Sequence, residues 1–260
     1  GTYEIGTGQA SPFNNLQNAI NRLNTNGVSG PVVFKLLNNE SYTSTLTINS
    51  FAGSSTTNTV TIEPAVNKNV TISVNSPNSY TGIAAVLKIN GGDNIIINGN
   101  NTNDQNVRNL ILQNNNSVSY VSQTVFWIAS NGTNGATNIT LKNTVLRNSN
   151  RNQDGRWLSG VFSGGNGSNS DLSNGVASAN NINSQIINNE YVNIRQGVHV
   201  NSNTNSNRIT NLLISRNRMV STVDSQKPDM GIYVNNVSDF RIENNIIDGI
   251  RHLNTGSSNI

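Results

Sequence analysis

The sequence predicts an all-β fold: a right-handed parallel β-helix with three short strands per coil and a short capping α-helix near the amino terminus. Three observations support this prediction. The chain has 25 Ile and 22 Val, and only 11% of its 260 residues are charged, which favours strands over helices. Short apolar runs are separated by Asn, Gly, Ser or Pro, as strands are separated by turns. Equivalent runs recur every 34 to 39 residues, a spacing typical of solenoid coils.

The composition is polar but still allows a core. Asn, Ser, Thr and Gly supply 53, 30, 22 and 22 residues, about half of the chain. Leu, Ile, Val and Phe together supply 68 residues, and the net charge is only +3, which indicates a folded chain. Because this charge is spread over a large surface, we expect no nucleic-acid partner. No apolar run is long enough to span a bilayer, so we expect no membrane insertion.

The first element is a capping helix over about residues 12–25. Ser11 followed by Pro12 is typical of a helix start. Apolar residues then recur at helical spacing up to Gly27, namely Phe13, Leu16, Ile20 and Leu23. We expect one domain over 1–260, with a cap at 1–30 and coils at 31–260, and the helix covering the open end of the first coil.

The coils begin with short alternating runs. The first four are 32–34, 46–48, 60–62 and 70–74. From residue 85 onward an apolar, variable, apolar unit repeats, as in Phe126-Trp127-Ile128 and Ile232-Tyr233-Val234. A propeller is the main alternative, but it favours regular hairpins with tight turns.

Alternation along each strand predicts which side chains face the interior. The expected interior residues are Phe126, Ile128, Val198, Val200, Ile232 and Val234. The outward residues should stack from coil to coil as one column, which consists of Lys88, Trp127, Phe162, His199 and Tyr233. We predict that this outward column is a ligand-binding strip, because exposed aromatic faces stack on sugar rings or dock on proteins. The alternatives are simple stacking, or a covering loop over 164–181.

A second column has a structural role. Asn189, Asn217 and Asn245 are 28 residues apart and each follows a pair of apolar residues. We expect them to stack at a bend, with their amides hydrogen-bonded along the axis. This Asn ladder accounts for much of the Asn content without invoking a function.

From the sequence we assign no catalytic residue, no metal ligand and no cofactor. The eight Asp and five Glu are scattered, without paired carboxylates or a calcium-loop pattern. Convergence of acids from distant loops, or a triad of His199 with Asp224 or Asp229, remains open. Nine Arg residues lie between 147 and 251, where they either contact an anionic polysaccharide or are solvated loop residues.

Four segments of the sequence carry a family resemblance, namely residues 1–6, 26–34, 106–114 and 231–247. They resemble secreted right-handed parallel β-helix proteins of Bacteroidetes-type bacteria, and the resemblance covers nearly the whole chain. It implies a pectin-lyase-like solenoid exported to the cell surface, often as part of a large adhesin-like protein. It implies no particular reaction, because this scaffold serves enzymes, adhesins and stalks alike.

These observations predict an exported bacterial cell-surface protein with an adhesive or structural role, binding glycan or protein through a lateral face. One alternative is a polysaccharide lyase or hydrolase. Another is a passive stalk or filament subunit that stacks through an uncapped C-terminal coil, because no closing element is evident after Ile250. We therefore expect the chain to be the N-terminal portion of a longer protein, or to be covered there by further domains or another subunit.

Overall fold

Three parallel sheets wind along the chain as a right-handed β-helix, confirming the predicted fold class. The computed structural model describes residues 1–76, 83–102, 104, 106–116, 122–149, 158–166, 177–202 and 208–250. The first strands and the α-helix are β1 (Thr2–Ile5), α1 (Leu16–Asn26), β2 (Val32–Leu36), β3 (Glu40–Tyr42), β4 (Leu46–Asn49), β5 (Val60–Pro64), β6 (Val70–Val74), β7 (Leu87–Asn90), β8 (Ile95–Asn98), β9 (Leu110–Asn114) and β10 (Gln123–Ser130). The later strands are β11 (Ile139–Lys142), β12 (Thr144–Asn148), β13 (Leu158–Gly165), β14 (Gln185–Ile187), β15 (Glu190–Val192), β16 (Gln196–Asn201), β17 (Ile209–Ser215), β18 (Arg218–Val220), β19 (Met230–Asn235), β20 (Val237–Glu243) and β21 (Ile246–Asp248). A 3-10 helix spans Asp224–Gln226.

Each coil contributes one strand to each sheet. Sheet 1 has the order β1-β2-β5-β8-β11-β14-β17-β20, sheet 2 the order β3-β6-β9-β12-β15-β18-β21, and sheet 3 the order β4-β7-β10-β13-β16-β19. All neighbouring strands in the three sheets pair in parallel, in a register that places equivalent positions of successive coils side by side. A side chain is therefore flanked by its counterparts in the coils before and after it.

The core fills the space between the three sheets. On sheet 3 the predicted interior residues of β10 and β16 are all fully buried, namely Phe126, Ile128, Val198 and Val200. Ile232 and Val234 of β19 are partly buried and pack against the same core. The predicted interior face of sheet 3 is confirmed.

Glycines make room for large side chains where sheet 3 faces sheet 2. Gly160 and Gly197 occupy equivalent positions on β13 and β16. A Cβ atom on Gly160 would lie 2.4 Å from the Tyr191 ring, and one on Gly197 would lie 2.1 Å from the sulfur of Met219. Because real Cβ contacts are not this short, these positions need a residue without a side chain.

The capping helix is present, but its predicted start is wrong. Residues 6 to 13 form hydrogen-bonded turns, in which the amide of Gly6 donates to the carbonyl of Phe13 over 2.9 Å. The helix begins at Leu16, and Asn15 is its N-cap, accepting a hydrogen bond from the Asn18 amide at 2.8 Å. Asn15 rather than Ser11 is therefore the residue that caps the helix and satisfies one of the free amides of its first turn.

The helix packs its apolar face into the solenoid core. Its buried residues are Leu16, Ala19, Ile20 and Leu23, which belong to the same cluster as the strand residues. Its first amide, on Leu16, donates to a carboxylate oxygen of Glu40 on β3 at 2.9 Å, where a negative charge suits a helix N-terminus. Among the described residues, no helix is both long and apolar enough to cross a membrane.

Candidate functional site

The outward column predicted from sequence forms as a continuous row on sheet 3. Trp127 on β10 is paired in register with Lys88 on β7 and with Phe162 on β13. His199 on β16 continues the row, and Tyr233 on β19 ends it. The sequence therefore identified which residues stack across five coils.

The members of the outward column contact each other closely. The Nζ atom of Lys88 lies 3.8 Å from the ring centroid of Trp127, a cation–π distance. The ring centroids of Trp127 and Phe162 are 5.9 Å apart, and those of Phe162 and His199 are 5.6 Å apart. His199 and Tyr233 are closest, at 4.8 Å. These distances are typical of favourable aromatic pairs.

The expected exposure of this column is wrong for three of its five members. Trp127, Phe162 and His199 are 3%, 0% and 1% exposed, whereas Tyr233 is 38% exposed. Trp127 and Phe162 belong to a small apolar cluster that is separate from the main core, together with Ile83, Ala85 and Ala129. Most of the column is thus a second, outer core rather than an open strip.

Part of the covering comes from the residues that follow β13. The indole nitrogen of Trp127 donates to the carbonyl of Gly165 at 3.2 Å, and the Lys88 ammonium donates to the side-chain oxygen of Asn166. Of the loop predicted over 164–181, residues 167–176 lie outside the described residues. Gly165 and Asn166, which are described, already hold the Trp127 indole and the Lys88 ammonium in place.

Burial changes the chemistry of Lys88. Loss of solvent lowers the pKa of its ammonium from the usual 10.5 to about 8, because a low-dielectric environment disfavours the charged form.

His199 is held by Gln196, whose side-chain oxygen lies 3.0 Å from the imidazole Nδ1. Asp229, one of the two carboxylates considered for a triad, forms an ion pair with Arg195 at 2.5 Å.

The predicted Asn ladder is present at the bend between sheets 1 and 2. The side-chain nitrogen of Asn189 donates to the side-chain oxygen of Asn217 at 3.1 Å, and that of Asn217 donates to the oxygen of Asn245 at 3.0 Å. Asn189 and Asn217 are both fully buried. The ladder is therefore a structural element of the coil.

A groove that sequence analysis did not identify lies on the outer face of sheet 1. Its volume is about 580 Å³. The floor is formed by the outward residues of β8, β11 and β14, and one wall by residues that follow β8. The lining residues are Ile96, Asn98, Asn100, Thr102, Asn106, Thr140, Lys142, Asn143, Gln185, Ile187, Asn188 and Arg216.

A second row of stacked amides builds one side of this groove. The Asn143 side-chain nitrogen donates to the Asn98 oxygen at 2.9 Å, and the Asn188 nitrogen donates to the Asn143 oxygen at 2.8 Å. Arg108 then donates to both the backbone and the side-chain oxygen of Asn188, at 2.9 and 2.7 Å. These bonds link three coils and the wall segment, so the amides are held in place before any ligand arrives.

The groove is polar and its charge is positive. Lys142 and Arg216 are its charged lining residues, and no described lining residue is an Asp or Glu. The carboxylates of Glu63 and Glu243 lie on the same sheet outside the lining. Glu63 pairs with Lys35 and accepts a hydrogen bond from Asn98 at 3.0 Å. Glu243, in register with Ser215, pairs with Arg241. The positive charge in the groove is therefore not neutralised by the residues that line it.

A second cavity of about 610 Å³ lies at the amino-terminal end, between α1 and the strands β1 and β2. Its wall includes Tyr3 and Phe13, whose rings stack at a centroid distance of 4.5 Å. Within the described ranges, no group of three or more His, Cys, Asp or Glu residues could hold a metal ion.

No family model, curated protein or solved structure matches this chain. The site must therefore be judged from its geometry.

The repeat spacing revealed the columns, because stacked residues share one strand position. The groove depends on a wall, a floor and a corner that come from different coils. The one signal in the sequence that could have pointed to it is Arg216, which replaces Asn at a repeated corner position.

Proposed function

We propose that this chain is a carbohydrate-binding β-helix protein that holds a polysaccharide strand in the groove on sheet 1. The observation that carries this proposal is the groove itself, about 580 Å³ in volume and lined mainly by amides and hydroxyls. Amide side chains offer both donors and acceptors, which is what sugar hydroxyl groups require. An elongated sugar chain can bind along a lateral face because successive coils repeat the same groups.

The rigidity of the groove supports binding. The Asn98–Asn143–Asn188 row is fixed by hydrogen bonds between coils, so these three amides lose little freedom when a ligand binds. Pre-organised polar groups reduce the entropic cost of binding. Gln185 and Thr140 occupy equivalent positions on β14 and β11, and they present an amide and a hydroxyl one coil apart.

This proposal moves the ligand-binding face away from the outward column. Trp127, Phe162 and His199 are buried, and Tyr233, at 38% exposed, is the most accessible aromatic ring of that column. The column then contributes packing energy to the outer side of sheet 3. Export and display at a bacterial surface in an adhesive role remain part of the proposal, supported by the resemblance of the coil segments to secreted β-helix proteins.

A glycan array tests the proposal. We expect the wild-type protein to bind at least one polysaccharide, and Gln185→Ala to weaken that binding because Gln185 is an exposed groove residue. The matched variant is Tyr233→Ala on sheet 3, which should bind as the wild type does. Loss of binding only in Tyr233→Ala would return the site to the outward column. No binding by the wild-type protein to any glycan would contradict the proposal.

A second candidate function is end-to-end assembly, and the last coil favours it. Phe240 and Ile242 on β20 are 49% and 43% exposed, although their counterparts Leu212 and Ile214 on β17 are 1% and 0% exposed. Among the described residues, β20 is the last strand of sheet 1, and exposed apolar residues on such a strand favour pairing with another β-coil. Sedimentation velocity should then show association that increases with concentration and disappears in Phe240→Asp. A monomer at all concentrations would contradict self-assembly.

The enzymatic alternative, a polysaccharide lyase or hydrolase, stays a prediction. Enzymatic activity is tested by measuring the release of new reducing ends from any polysaccharide that binds in the array. A lyase would also produce an unsaturated sugar that absorbs in the ultraviolet.

A further inference from the structure

Arg216 is an unusual residue for its position in the fold. It lies at the corner that follows β17, in register with Asn143, Asn188 and Asn244 of other coils. All four residues have left-handed backbone angles, with φ values of 57°, 55°, 55° and, for Arg216, 56°. Asn tolerates this conformation well, whereas a long side chain such as Arg is strained in it.

The substitution of Arg for Asn also interrupts the row of amides. Asn143 and Asn188 each donate a side-chain hydrogen bond to the Asn of the preceding coil, over 2.9 and 2.8 Å. A guanidinium group cannot repeat that short amide contact, and Arg216 is exposed. A strained residue that also gives up a stabilising contact points to a function at that position.

The position of Arg216 indicates what that function is. Arg216 and Lys142 both line the groove, and neither forms an ion pair in the described part of the chain. Lys142 is half-buried on the floor, one coil before Ile187 and two coils before Ser215, the residue that precedes Arg216. Two cations thus lie along one groove at different coils.

We propose that Lys142 and Arg216 make the groove selective for anionic polysaccharides, whose sugars carry carboxylate or sulfate groups. This inference rests on the proposed carbohydrate-binding function and adds the class of ligand. A guanidinium can bind an oxyanion with two parallel hydrogen bonds, and an ammonium supplies a compact positive charge. The surrounding amides then bind the neutral hydroxyls of the same sugars.

Matched pairs of polymers test the selectivity. Alginate and its carboxyl-reduced form differ in the carboxylate groups, and dextran sulfate and dextran differ in the sulfate groups. Affinities are measured at 0.15 M salt, about the physiological ionic strength, for wild type, Arg216→Asn, Lys142→Gln and Arg22→Gln. Arg216→Asn places the residue of the neighbouring coils at the corner and should fold normally. Arg22 lies exposed on α1, so Arg22→Gln controls for net charge.

We expect at least one anionic polymer to bind more tightly than its neutral partner. Arg216→Asn and Lys142→Gln should each weaken that binding roughly tenfold, the scale of one lost charged hydrogen bond, and Arg22→Gln should leave it unchanged. Preference for alginate would identify carboxylate as the recognised group, and preference for dextran sulfate would identify sulfate; both results support the inference.

Three results would overturn the inference. One is equal binding of the charged and neutral polymers, which would leave the carbohydrate-binding function intact without this selectivity. Another is a preference that survives in Arg216→Asn and Lys142→Gln. A third is an equal loss in Arg22→Gln, which would show non-specific attraction. Failure of the wild type to bind any polymer here or in the glycan array would instead remove the proposed function.

Discussion

Replacing Asn217 by Ala should be among the most damaging single changes in the C-terminal half of the solenoid. Asn217 is 0% exposed. Its side-chain oxygen accepts hydrogen bonds from the backbone and side-chain nitrogens of Asn189, both at 3.1 Å. Its side-chain nitrogen donates to the Asn245 oxygen at 3.0 Å and to the Ile186 carbonyl at 2.8 Å. Truncation to Ala leaves these partner groups without the side chain that satisfied them.

The magnitude follows from the number of partners that are lost. A buried polar group left without a partner costs about 1–3 kcal/mol, and four interactions are removed together. Because the ladder can relax in part, we expect the free energy of unfolding to fall by about 3–5 kcal/mol. That is a large share of the roughly 5–15 kcal/mol that stabilises a typical domain.

Urea unfolding followed by circular dichroism measures the total loss of unfolding free energy. Hydrogen exchange shows where the structure is weakened, and the Asn189 amide should lose protection because its acceptor is removed. Asn21→Ala is the matched control: Asn21 is an exposed residue of α1 whose side chain accepts one bond from Gln17 at 2.9 Å. We expect that change to stay within about 0.5 kcal/mol. If Asn217→Ala costs no more than Asn21→Ala, the ladder does not stabilise the fold.

Three further changes test other parts of the structure. Because the pKa of Lys88 is lowered to about 8 in the fold, the unfolded state binds more protons between about pH 8 and 10.5, so stability should rise with pH across that window. Trp127 fluorescence should titrate near pH 8 and not in Lys88→Met; a midpoint at the usual value for lysine would refute this. Gly197→Ala should cost about 1–3 kcal/mol in urea unfolding, since its Cβ would lie 2.5 Å from a backbone carbonyl oxygen, whereas Gly30→Ala has open space. Arg216→Asn should raise the free energy of unfolding by about 1 kcal/mol through relief of backbone strain, and a destabilised variant would contradict the strain argument.

The fold could be predicted because a solenoid repeats its local signals. The apolar alternation in each strand identified the interior residues of sheet 3, and the 28-residue spacing identified the Asn ladder, which depends on the same position in each coil. The start of the helix could not be predicted as well. Ser11 and Asn15 are both good N-caps, and the turns over residues 6 to 13 decide between them.

The exposure of the outward column could not be predicted in the same way. Alternation shows that Trp127 points away from the interior, but it does not show what covers it. Trp127 is covered in part by Gly165, 38 residues later, and Lys88 by Asn166, 78 residues later. These contacts are set by loops whose lengths vary between coils. The groove on sheet 1 depends in the same way on residues from several coils.

Among the described residues, two replace Asn at left-handed corner positions, and they differ in how well they tolerate that backbone conformation. Asp239 also replaces Asn at a left-handed corner, with φ of 53°, in register with Asn211 at 55°. Asp tolerates that conformation nearly as well as Asn does, so Asp239→Asn should change the free energy of unfolding by less than about 0.5 kcal/mol. The long side chain of Arg216 does not stabilise the left-handed conformation in this way. A clear stability gain in Arg216→Asn beside none in Asp239→Asn would therefore show that Arg216 is kept at a cost to the fold, which a binding role in the groove explains.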